Sequence, residues 1–162
     1  MISVKTKKIL GLSLPIIGGM MSQNILNLVP DFHFIKSVHP AAQIASRVTL
    51  KRGTVVMAGA VINSGSEVGE FCVVNTKSSI DHDNVFENYS CIMPNAATGG
   101  NVRVGAFSAL GMGANILQNI QIGTHTVVGA GSVVLENADD YSIVIGTPAK
   151  VKQSRKKGAP YL

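Results

Sequence analysis

The stretch "VVMAGAVINSGSEVGEFCVVN", residues 55–75, decides the fold. Large aliphatic residues recur in it at every sixth position, at Val56, Ile62, Val68 and Val74. The same spacing runs from residue 38 to residue 134, and sixteen of the seventeen residues in this series are apolar. A six-residue period of this length predicts a stack of short structural repeats, because a single repeat is too small to bury its own aliphatic side chain.

Two further positions of the repeat also have a fixed character. The residue four places after each aliphatic is small in most repeats, as at Ala60, Ser66 and Cys72. The residue three places after it is often of a type that accepts a positive φ readily. Left-handed corners are therefore predicted at Gly53, Gly59, Gly65, Asp83, Asn95, Asn101, Gly113, Asn119, His125, Gly131 and Asn137.

Each repeat is then a short strand followed by a corner, with the aliphatic and the small residue pointing inward. Three strands per coil make a triangular prism with rungs about 4.8 Å apart, so residues eighteen positions apart stack. We predict an all-β chain whose main body is a parallel β-helix of about six coils over residues 38–139. An N-terminal segment and linker over 1–37 precede it, and a strand, a turn and a basic tail over 140–162 follow it.

The outward faces of the predicted prism differ in polarity. One face carries small and apolar residues, among them Val55, Met57, Val73 and Ala109, whereas the next carries charged residues such as Lys51. An apolar face of this extent is unusual on the surface of a monomer. We therefore predict a homo-oligomer, with a homotrimer favoured by the three-sided prism.

The N-terminal stretch Ile9–Val29 contains 21 uncharged residues behind three lysines. This length is sufficient to span a bilayer, but Pro15, Gly18 and several polar residues weaken the pattern. Three interpretations remain open: a helix that docks on protein, a membrane contact, or disorder.

Composition and charge narrow the class of protein. Charged residues make up only 14% of the chain, and the net charge of +5 is concentrated in a basic tail over 150–157. Such a tail is typical of a solvated end or of a contact with phosphates of a ligand or a membrane, and we predict no nucleic-acid partner. Cys72 and Cys91 lack the spacing of a metal site or a disulfide framework, which favours a reducing compartment. We predict a cytoplasmic protein, at the inner membrane surface if residues 9–29 contact a membrane.

The stretch "SIDHDN", residues 79–84, places His82 between Asp81 and Asp83 at a predicted corner. Gly100 follows eighteen residues later and is expected one rung away, about 5 Å. An imidazole beside a bare backbone N–H suits acyl transfer, because the base takes a proton from the attacking group while the N–H binds the oxyanion. Either Asp81 or Asp83 is placed to fix the tautomer of the imidazole. The alternative is a polar turn without chemistry, since Asp, His and Asn all form corners.

The hexads resemble those of the left-handed β-helix, or hexapeptide-repeat, acyltransferases. The segments "VHPAAQI", "VVMAGAVIN", "VVNTKSSIDHD" and "VVGAGSVV…VIGTPAKV" are similar to those of the acetyltransferases that modify sialic acids and nucleotide-linked amino sugars for surface polysaccharides. The resemblance covers about residues 31–152. It implies a left-handed helix, a homotrimer with active sites between neighbouring prisms, acetyl-CoA as donor, and direct transfer to a sugar or nucleotide-sugar acceptor.

The resemblance also implies roles for individual residues. His82 matches the catalytic base of the family and Asp83 its acidic neighbour. Gly100 matches a glycine whose N–H meets the thioester carbonyl. The acceptor side of the site would be lined by Asn75, Asp81 and Cys91, and the coenzyme would be held by Met112 and Ala130 along the pantetheine arm and by Pro148 and Lys150 near the nucleotide.

Two departures from the family pattern leave other functions open. Cys91 stands where many relatives carry a second histidine, and a catalytic thiol there is disfavoured because nothing nearby in the sequence activates it. Relatives also precede the β-helix with a small α/β domain, whereas residues 9–29 resemble the first membrane helix of a multidrug-and-toxin-extrusion transporter. The main alternative is a non-catalytic scaffold or binding protein that lacks the acceptor domain. A metal enzyme of the carbonic-anhydrase type needs three converging histidines. Since the coils after the entry to the first rung, where His39 lies, contain only His82 and His125, we predict no metal.

Overall fold

The computed structural model describes residues 34–157 and residue 159. Strands of two residues follow one another along the repeat and belong in turn to three sheets, one for each face of a prism. Sheet 1 contains β1 (Ser37–Val38), β4 (Val55–Val56), β7 (Val73–Val74), β10 (Cys91–Ile92), β13 (Ala109–Leu110) and β16 (Val127–Val128). Sheet 2 contains β2 (Gln43–Ile44), β5 (Val61–Ile62), β8 (Ser79–Ile80), β11 (Ala97–Thr98), β14 (Asn115–Ile116) and β17 (Val133–Val134). Sheet 3 contains β3 (Thr49–Leu50), β6 (Glu67–Val68), β9 (Val85–Phe86), β12 (Arg103–Val104) and β15 (Gln121–Ile122).

Parallel pairing between strands three apart in the sequence gives the coil. Val56 pairs with Val74, and Val74 pairs with Ile92, so each partner lies eighteen residues further along the chain. The same register joins successive strands of sheets 2 and 3, as for Ser79 with Ala97. The parallel β-helix of about six coils is therefore confirmed.

The core is a narrow column in which large and small side chains alternate. Ile62, Ile80 and Ile92 are fully buried at the aliphatic position, and even Phe86 is only 2% exposed. Polar side chains at the small position are also buried, and hydrogen bonds to the backbone compensate their loss of water. The Thr54 hydroxyl, for example, donates to the carbonyl of Gly69 at 2.6 Å.

The corners turn through left-handed backbone at ten of the eleven predicted positions. The exception, Asn137, is a wrong prediction. The last coil is two residues shorter than the others, so Ala138 stacks on Ile122 and Val144 on Val128. In this tighter path the Asn137 side chain accepts a hydrogen bond from the backbone N–H of Gln121 at 2.8 Å instead of forming a regular corner.

Left-handed corners also occur at residues that the sequence pattern did not single out. These residues are Arg47, Phe71, Lys77, Tyr89, Phe107 and Tyr141. At such a corner the backbone N–H is held by the carbonyl of the rung before it, as Phe71 is held by Arg52 at 3.0 Å and Tyr89 by Glu70 at 2.8 Å. These stacked hydrogen bonds offset the steric cost of positive φ, so the fold overrides the local preference of the side chain.

The described chain ends in a hairpin on sheet 1. β18 (Ser142–Gly146) adds to sheet 1 in parallel, and β19 (Ala149–Ser154) pairs with β18 in antiparallel fashion. Residues 9–29, for which three interpretations were given, lie outside the described residues. Within residues 34–157 and 159, no helix long and apolar enough to cross a membrane is present.

Candidate active site

His82 lies at the corner that joins sheet 2 to sheet 3, and two aspartates hold it in different ways. The ring atom Nδ1 lies 2.8 Å from Oδ2 of Asp83. Asp81 instead accepts the backbone N–H of His82 at 2.8 Å and the side-chain amide of Asn63 at 2.8 Å. Of the two carboxylates proposed to fix the tautomer, Asp83 therefore contacts the ring, whereas Asp81 holds the turn.

A buried amide braces this corner from the inside. The Asn84 side chain donates to the carbonyls of Asp81 at 2.7 Å and Gly99 at 2.9 Å, and it accepts the N–H of Val102 at 3.0 Å. It thereby ties the rung of His82 to the next rung. The sequence pattern treated Asn84 only as a small inward residue and missed this role; the signal was that no other residue in this position of the repeat carries a side-chain amide.

Gly100 lies directly against the imidazole of His82. A Cβ atom on Gly100 would be 2.5 Å from both Cε1 and Nε2 of the ring, which leaves room only for glycine. The carbonyl of His82 accepts the N–H of Asn101 at 2.9 Å, so the two residues occupy successive rungs of one corner. The N–H of Gly100 donates to no acceptor in the part of the chain that the structure describes. The imidazole therefore lies beside a residue whose backbone N–H is free.

The charges around the site shift two pKa values. The hydrogen bond to Asp83 raises the pKa of His82, since it stabilises the imidazolium form. The hydrogen bonds from Asn63 and from the backbone of His82 lower the pKa of Asp81. Because Asp83 accepts from Nδ1–H in the neutral ring, Nε2 is the nitrogen left with a lone pair to accept a proton.

The corner column of His82 forms one edge of the prism, which we call the His82 edge. From the N-terminal end of the helix, its rungs contain Ser46 and Arg47, Ser64 and Gly65, His82 and Asp83, Gly100 and Asn101, and Gln118 and Asn119. Asn101 donates its side-chain amide to that of Asn119 at 2.8 Å, which continues the polar column beyond Gly100.

Asn75 and Cys91 do not join His82 within one chain. Both lie on the outer surface of sheet 1, and the N–H of Asn75 donates to the carbonyl of Ile92 at 3.0 Å in the neighbouring strand. A complete face of the prism, sheet 2, separates this surface from the His82 edge. Burial raises the pKa of the Cys91 thiol to about 11, so at neutral pH it is a thiol rather than a nucleophilic thiolate.

Most of the predicted coenzyme residues gather at a second edge, where sheet 1 turns into sheet 2. Met112 and Ala130 occupy successive rungs there, and Met112 is 58% exposed. The turn that contains Pro148 reaches the same edge, since the Thr147 hydroxyl lies 3.4 Å from the carbonyl of Gly131. Lys150 forms an ion pair with Glu136 at 3.1 Å. Gly100 is an exception, because it lies on the His82 edge, and Lys150 is another, because its partner Glu136 follows β17 of sheet 2 rather than sheet 1.

The third edge carries a stack of aromatic rings that the sequence pattern missed. Its corner residues are Phe71, Tyr89, Phe107, His125 and Tyr141, with ring centroids 4.7–5.4 Å apart and Phe34 edge-on at one end. We call this column the aromatic edge. Rings at 71, 89, 107 and 125, eighteen residues apart, were the available signal. Burial and nearby Arg155 lower the pKa of His125.

Several solved structures are similar to this chain. A histidine-to-alanine mutant of GDP-perosamine N-acetyltransferase from Caulobacter crescentus, in complex with CoA and GDP-perosamine, is 34% identical with a TM-score of 0.79, over 83% of this chain and 65% of that chain. The acetyltransferase domain of PglB from Neisseria gonorrhoeae, also solved in complex with acetyl coenzyme A, is 33% identical with a TM-score of 0.78, over 82% and 63%. WeeI from Acinetobacter baumannii, at 24% identity and a TM-score of 0.76, supports the fold alone.

The chain carries a hexapeptide-repeat acetyltransferase fold. The resemblance inferred from the hexads and the left-handed β-helix are both confirmed by these similarities. The chain spans less than two thirds of the length of the first two of these proteins. No family model matches it. Within residues 34–157 and 159, no group of three or more His, Cys, Asp and Glu side chains is arranged to hold a metal ion, and His82 and His125 lie on different edges.

Proposed function

We propose that the chain is an acetyl-CoA-dependent sugar acetyltransferase that acts on an amine or hydroxyl of a nucleotide-linked amino sugar or a sialic acid. The observation that carries the proposal is the imidazole of His82, oriented by Asp83, beside the unpaired N–H of Gly100. The similar enzyme from Caulobacter crescentus, whose complex contains CoA and GDP-perosamine, supports the choice of donor and of acceptor class.

The proposed reaction is a direct transfer with His82 as general base. Nε2 accepts a proton from the acceptor amine or hydroxyl as its nitrogen or oxygen attacks the carbonyl carbon of the thioester. The carbonyl oxygen becomes negative, and the N–H of Gly100 donates a hydrogen bond to it. When the intermediate collapses, the carbon–sulfur bond breaks and the coenzyme leaves as a thiolate that takes the proton from His82. Asp83 keeps its hydrogen bond to Nδ1 throughout and stabilises the imidazolium.

A complete active site that contains both the proposed donor residues and the proposed acceptor residues requires more than one chain. Met112, Ala130, Pro148 and Lys150 would hold the coenzyme, and Asn75, Asp81 and Cys91 would line the acceptor side, yet these residues lie on two edges and a face of one prism. A homotrimer that packs the apolar surface of sheet 1 of one copy beside the His82 edge of the next would bring them together. Met57, which follows β4, is 38% exposed, and Val55 and Val73 on sheet 1 are partly exposed, so this apolar surface suits such packing.

The proposed activity is cytoplasmic and serves the synthesis of surface polysaccharide. Cys72 and Cys91 are free cysteines, which suits a reducing compartment.

Release of coenzyme thiol tests the proposal directly. The full chain is incubated with acetyl-CoA and, in separate reactions, with GDP-perosamine and with N-acetylneuraminic acid, and the free thiol is measured over time. We expect release that depends on the acceptor, and a higher melting temperature in the presence of acetyl-CoA, because a ligand stabilises the folded state that binds it. No acceptor-dependent release and no thermal shift at millimolar acetyl-CoA would instead support the non-catalytic scaffold.

A further inference from the structure

We propose that Arg47 is a specificity-determining residue, which selects an acceptor with an anionic group on the opposite side of the sugar ring from the acetylated position. The group is a phosphate or a carboxylate. The inference rests on the proposed function and specifies the acceptor that the site takes.

Arg47 lies on the His82 edge, on the side of His82 away from Gly100. Two hydrogen bonds connect the successive rungs. The backbone N–H of Asp83 donates to the carbonyl of Ser64 at 3.1 Å, and the side-chain hydroxyl of Ser64 donates to the carbonyl of Ser46 at 2.9 Å. Arg47 and His82 are therefore two rungs, about 10 Å, apart along the backbone. Gly100 and the proposed donor site lie in the opposite direction, so Arg47 belongs to the acceptor side.

The guanidinium of Arg47 is drawn towards His82. Its Nε donates to the hydroxyl of Ser64 at 3.2 Å, which brings the charged group to the rung adjacent to that of His82. Ser64 and Gly65 are the residues of this intermediate rung, and both are small. The carboxylate of Asp83 lies against Gly65, in the space that a Cβ atom on Gly65 would occupy. Apart from this carboxylate, no side chain of the edge larger than serine lies between the guanidinium and the imidazole.

The charge of Arg47 is exposed and has no acidic partner within 4 Å among residues 34–157 and 159. Two other arginines differ, because Arg52 pairs with Glu70 at 3.0 Å and Arg103 with Glu87 at 2.9 Å. On the described rungs of the His82 edge, Arg47 is the only Lys or Arg. A guanidinium with Nε already fixed presents its terminal nitrogens as a fork, which matches the paired oxygens of a phosphate or a carboxylate.

In the proposed pose, one pyranose ring lies over the two rungs, about 10 Å, that separate the backbones of Arg47 and His82. An acceptor whose amine or hydroxyl reaches Nε2 of His82 extends its ring along the edge towards Arg47. The anomeric phosphate of a nucleotide sugar, or the carboxylate of a sialic acid, then lies near the guanidinium. Binding of the anion would place the reacting atom against His82 and leave Gly100 free for the thioester.

Equilibrium binding tests the role of Arg47 independently of turnover. Dissociation constants of GDP-perosamine and of N-acetylneuraminic acid are measured by calorimetry for the full chain and for its Arg47→Ala and Arg52→Ala variants. The probes that lack the anion are the methyl glycoside of perosamine and the methyl ester of N-acetylneuraminic acid. Arg52→Ala is the matched control, since it removes the same charge from a position outside the His82 edge.

We expect Arg47→Ala to weaken binding of one anionic probe about tenfold to a hundredfold, the loss of one charge-assisted hydrogen-bonded pair, and to leave binding of the counterpart without the anion unchanged. Arg52→Ala should bind like the wild type. The probe that responds identifies the source of the anion, GDP-perosamine for a phosphate and N-acetylneuraminic acid for a carboxylate.

Two results would overturn the role of Arg47: equal binding by Arg47→Ala and the wild type, or no binding of either anionic probe by the wild type. Arg47-dependent binding without any thiol release would instead reject the acetyltransferase and leave the anion site standing. The failure of one proposal is therefore distinguishable from the failure of the other.

Discussion

The aromatic edge and the His82 edge of the prism have the same corner geometry but carry different kinds of side chain. On the aromatic edge, Tyr89, Phe107 and His125 stack face to face at left-handed positions and fill the column. On the His82 edge, the corresponding rungs hold small or polar residues, and Gly100 leaves its backbone N–H uncovered. The repeat accordingly tolerates large side chains outside its core, and on the His82 edge the space beside Gly100 is taken by the imidazole of the rung before it.

The two histidines of the coils illustrate the difference. His82 is exposed, and its pKa is raised by the neighbouring carboxylate of Asp83. His125 is half-buried between the rings of Phe107 and Tyr141, and burial lowers its pKa. An exposed imidazole next to a carboxylate suits proton transfer, whereas a stacked and partly desolvated one suits packing. The sequence positions alone, both at corners, do not distinguish these roles.

The largest effect should come from replacing each histidine by alanine. His82→Ala should lower kcat/KM by about a hundredfold to ten-thousandfold, the usual contribution of a general base, and leave the free energy of unfolding almost unchanged, because the side chain is exposed. His125→Ala should do the reverse: it loses two stacked pairs, about 1–3 kcal/mol of stability, and keeps kcat/KM within about twofold. Thiol-release kinetics and urea denaturation measure the two quantities.

The assignment of catalysis to His82 and of packing to His125 is wrong if His125→Ala is inactive but fully stable, or if His82→Ala has the activity of the wild type. In the second case the base lies elsewhere, and the His82 edge is a polar turn without chemistry.

The next largest effect should follow from filling the space beside His82. In Gly100→Ala the new methyl group would stand 2.5 Å from the imidazole, so the ring must move away from Asp83 or from the thioester. We expect kcat/KM to fall by about a hundredfold or more, which is typical for the loss of an oxyanion donor or its alignment.

Gly59→Ala is the matched control for this change. Its methyl group would meet only the flexible side chain of Lys77 at 3.3 Å, far along the coil from His82, although its φ of +69° makes alanine strained. It should lose about 1–2 kcal/mol of stability and retain its kcat/KM. Gly100→Ala with the activity of Gly59→Ala would show that the free N–H has no role.

A smaller effect is expected from Asp83→Asn, measured as a pH profile of kcat/KM. The base must be neutral to accept a proton, and the hydrogen bond to Asp83 raises the pKa of His82. Removing the charge lowers that pKa, so the acid limb of the profile should move to lower pH. Asp81→Asn should move the limb less, because Asp81 contacts the backbone of His82 and not its ring.

The raised pKa of His82 also makes the stability of the folded chain depend on pH in a defined direction. A histidine whose pKa is raised in the folded state adds stability below its unfolded pKa and loses it as the pH rises through the folded value. Asp83→Asn should therefore reduce stability only on the acid side of the histidine range. An acid limb that stays in place in Asp83→Asn would mean that His82 is not the group that titrates.

Sequence periodicity predicted much of the His82 edge. A strict step of eighteen residues fixes which side chains share a corner, so the contact between His82 and Gly100 follows from counting once three strands per coil are assumed. The same counting predicted that sheet 1 is apolar on its outer surface. Periodicity succeeds here because each coil repeats the geometry of the last, and the aliphatic series leaves little freedom in register.

Prediction from the period of the repeat failed where the coil changes length and where a side chain has two possible hydrogen-bond partners. The shortened last coil moved Asn137 out of a left-handed corner. Left-handed φ at Phe71 or Tyr89 depends on stacked backbone hydrogen bonds rather than on the residue type. The choice of Asp83 over Asp81 as the partner of the ring is set by side-chain rotamers at one corner, which no sequence pattern encodes.

The amino-acid sequence by itself thus determined the fold, the register and the neighbours along each edge, because a regular repeat translates position into space. Only the tertiary structure decided what fills each edge: a ring stack on one, and on the other an oriented imidazole, a free amide and a guanidinium held by Ser64. The separation of Asn75 and Cys91 from His82 by a full face also follows from the sequence, since residues seven or nine positions apart along a coil of eighteen lie on different sides of the prism. The position of a residue in the repeat fixes which edge or face it lies on. Side-chain rotamers and the hydrogen bonds between rungs fix what the side chain contacts there, and these depend on packing in three dimensions.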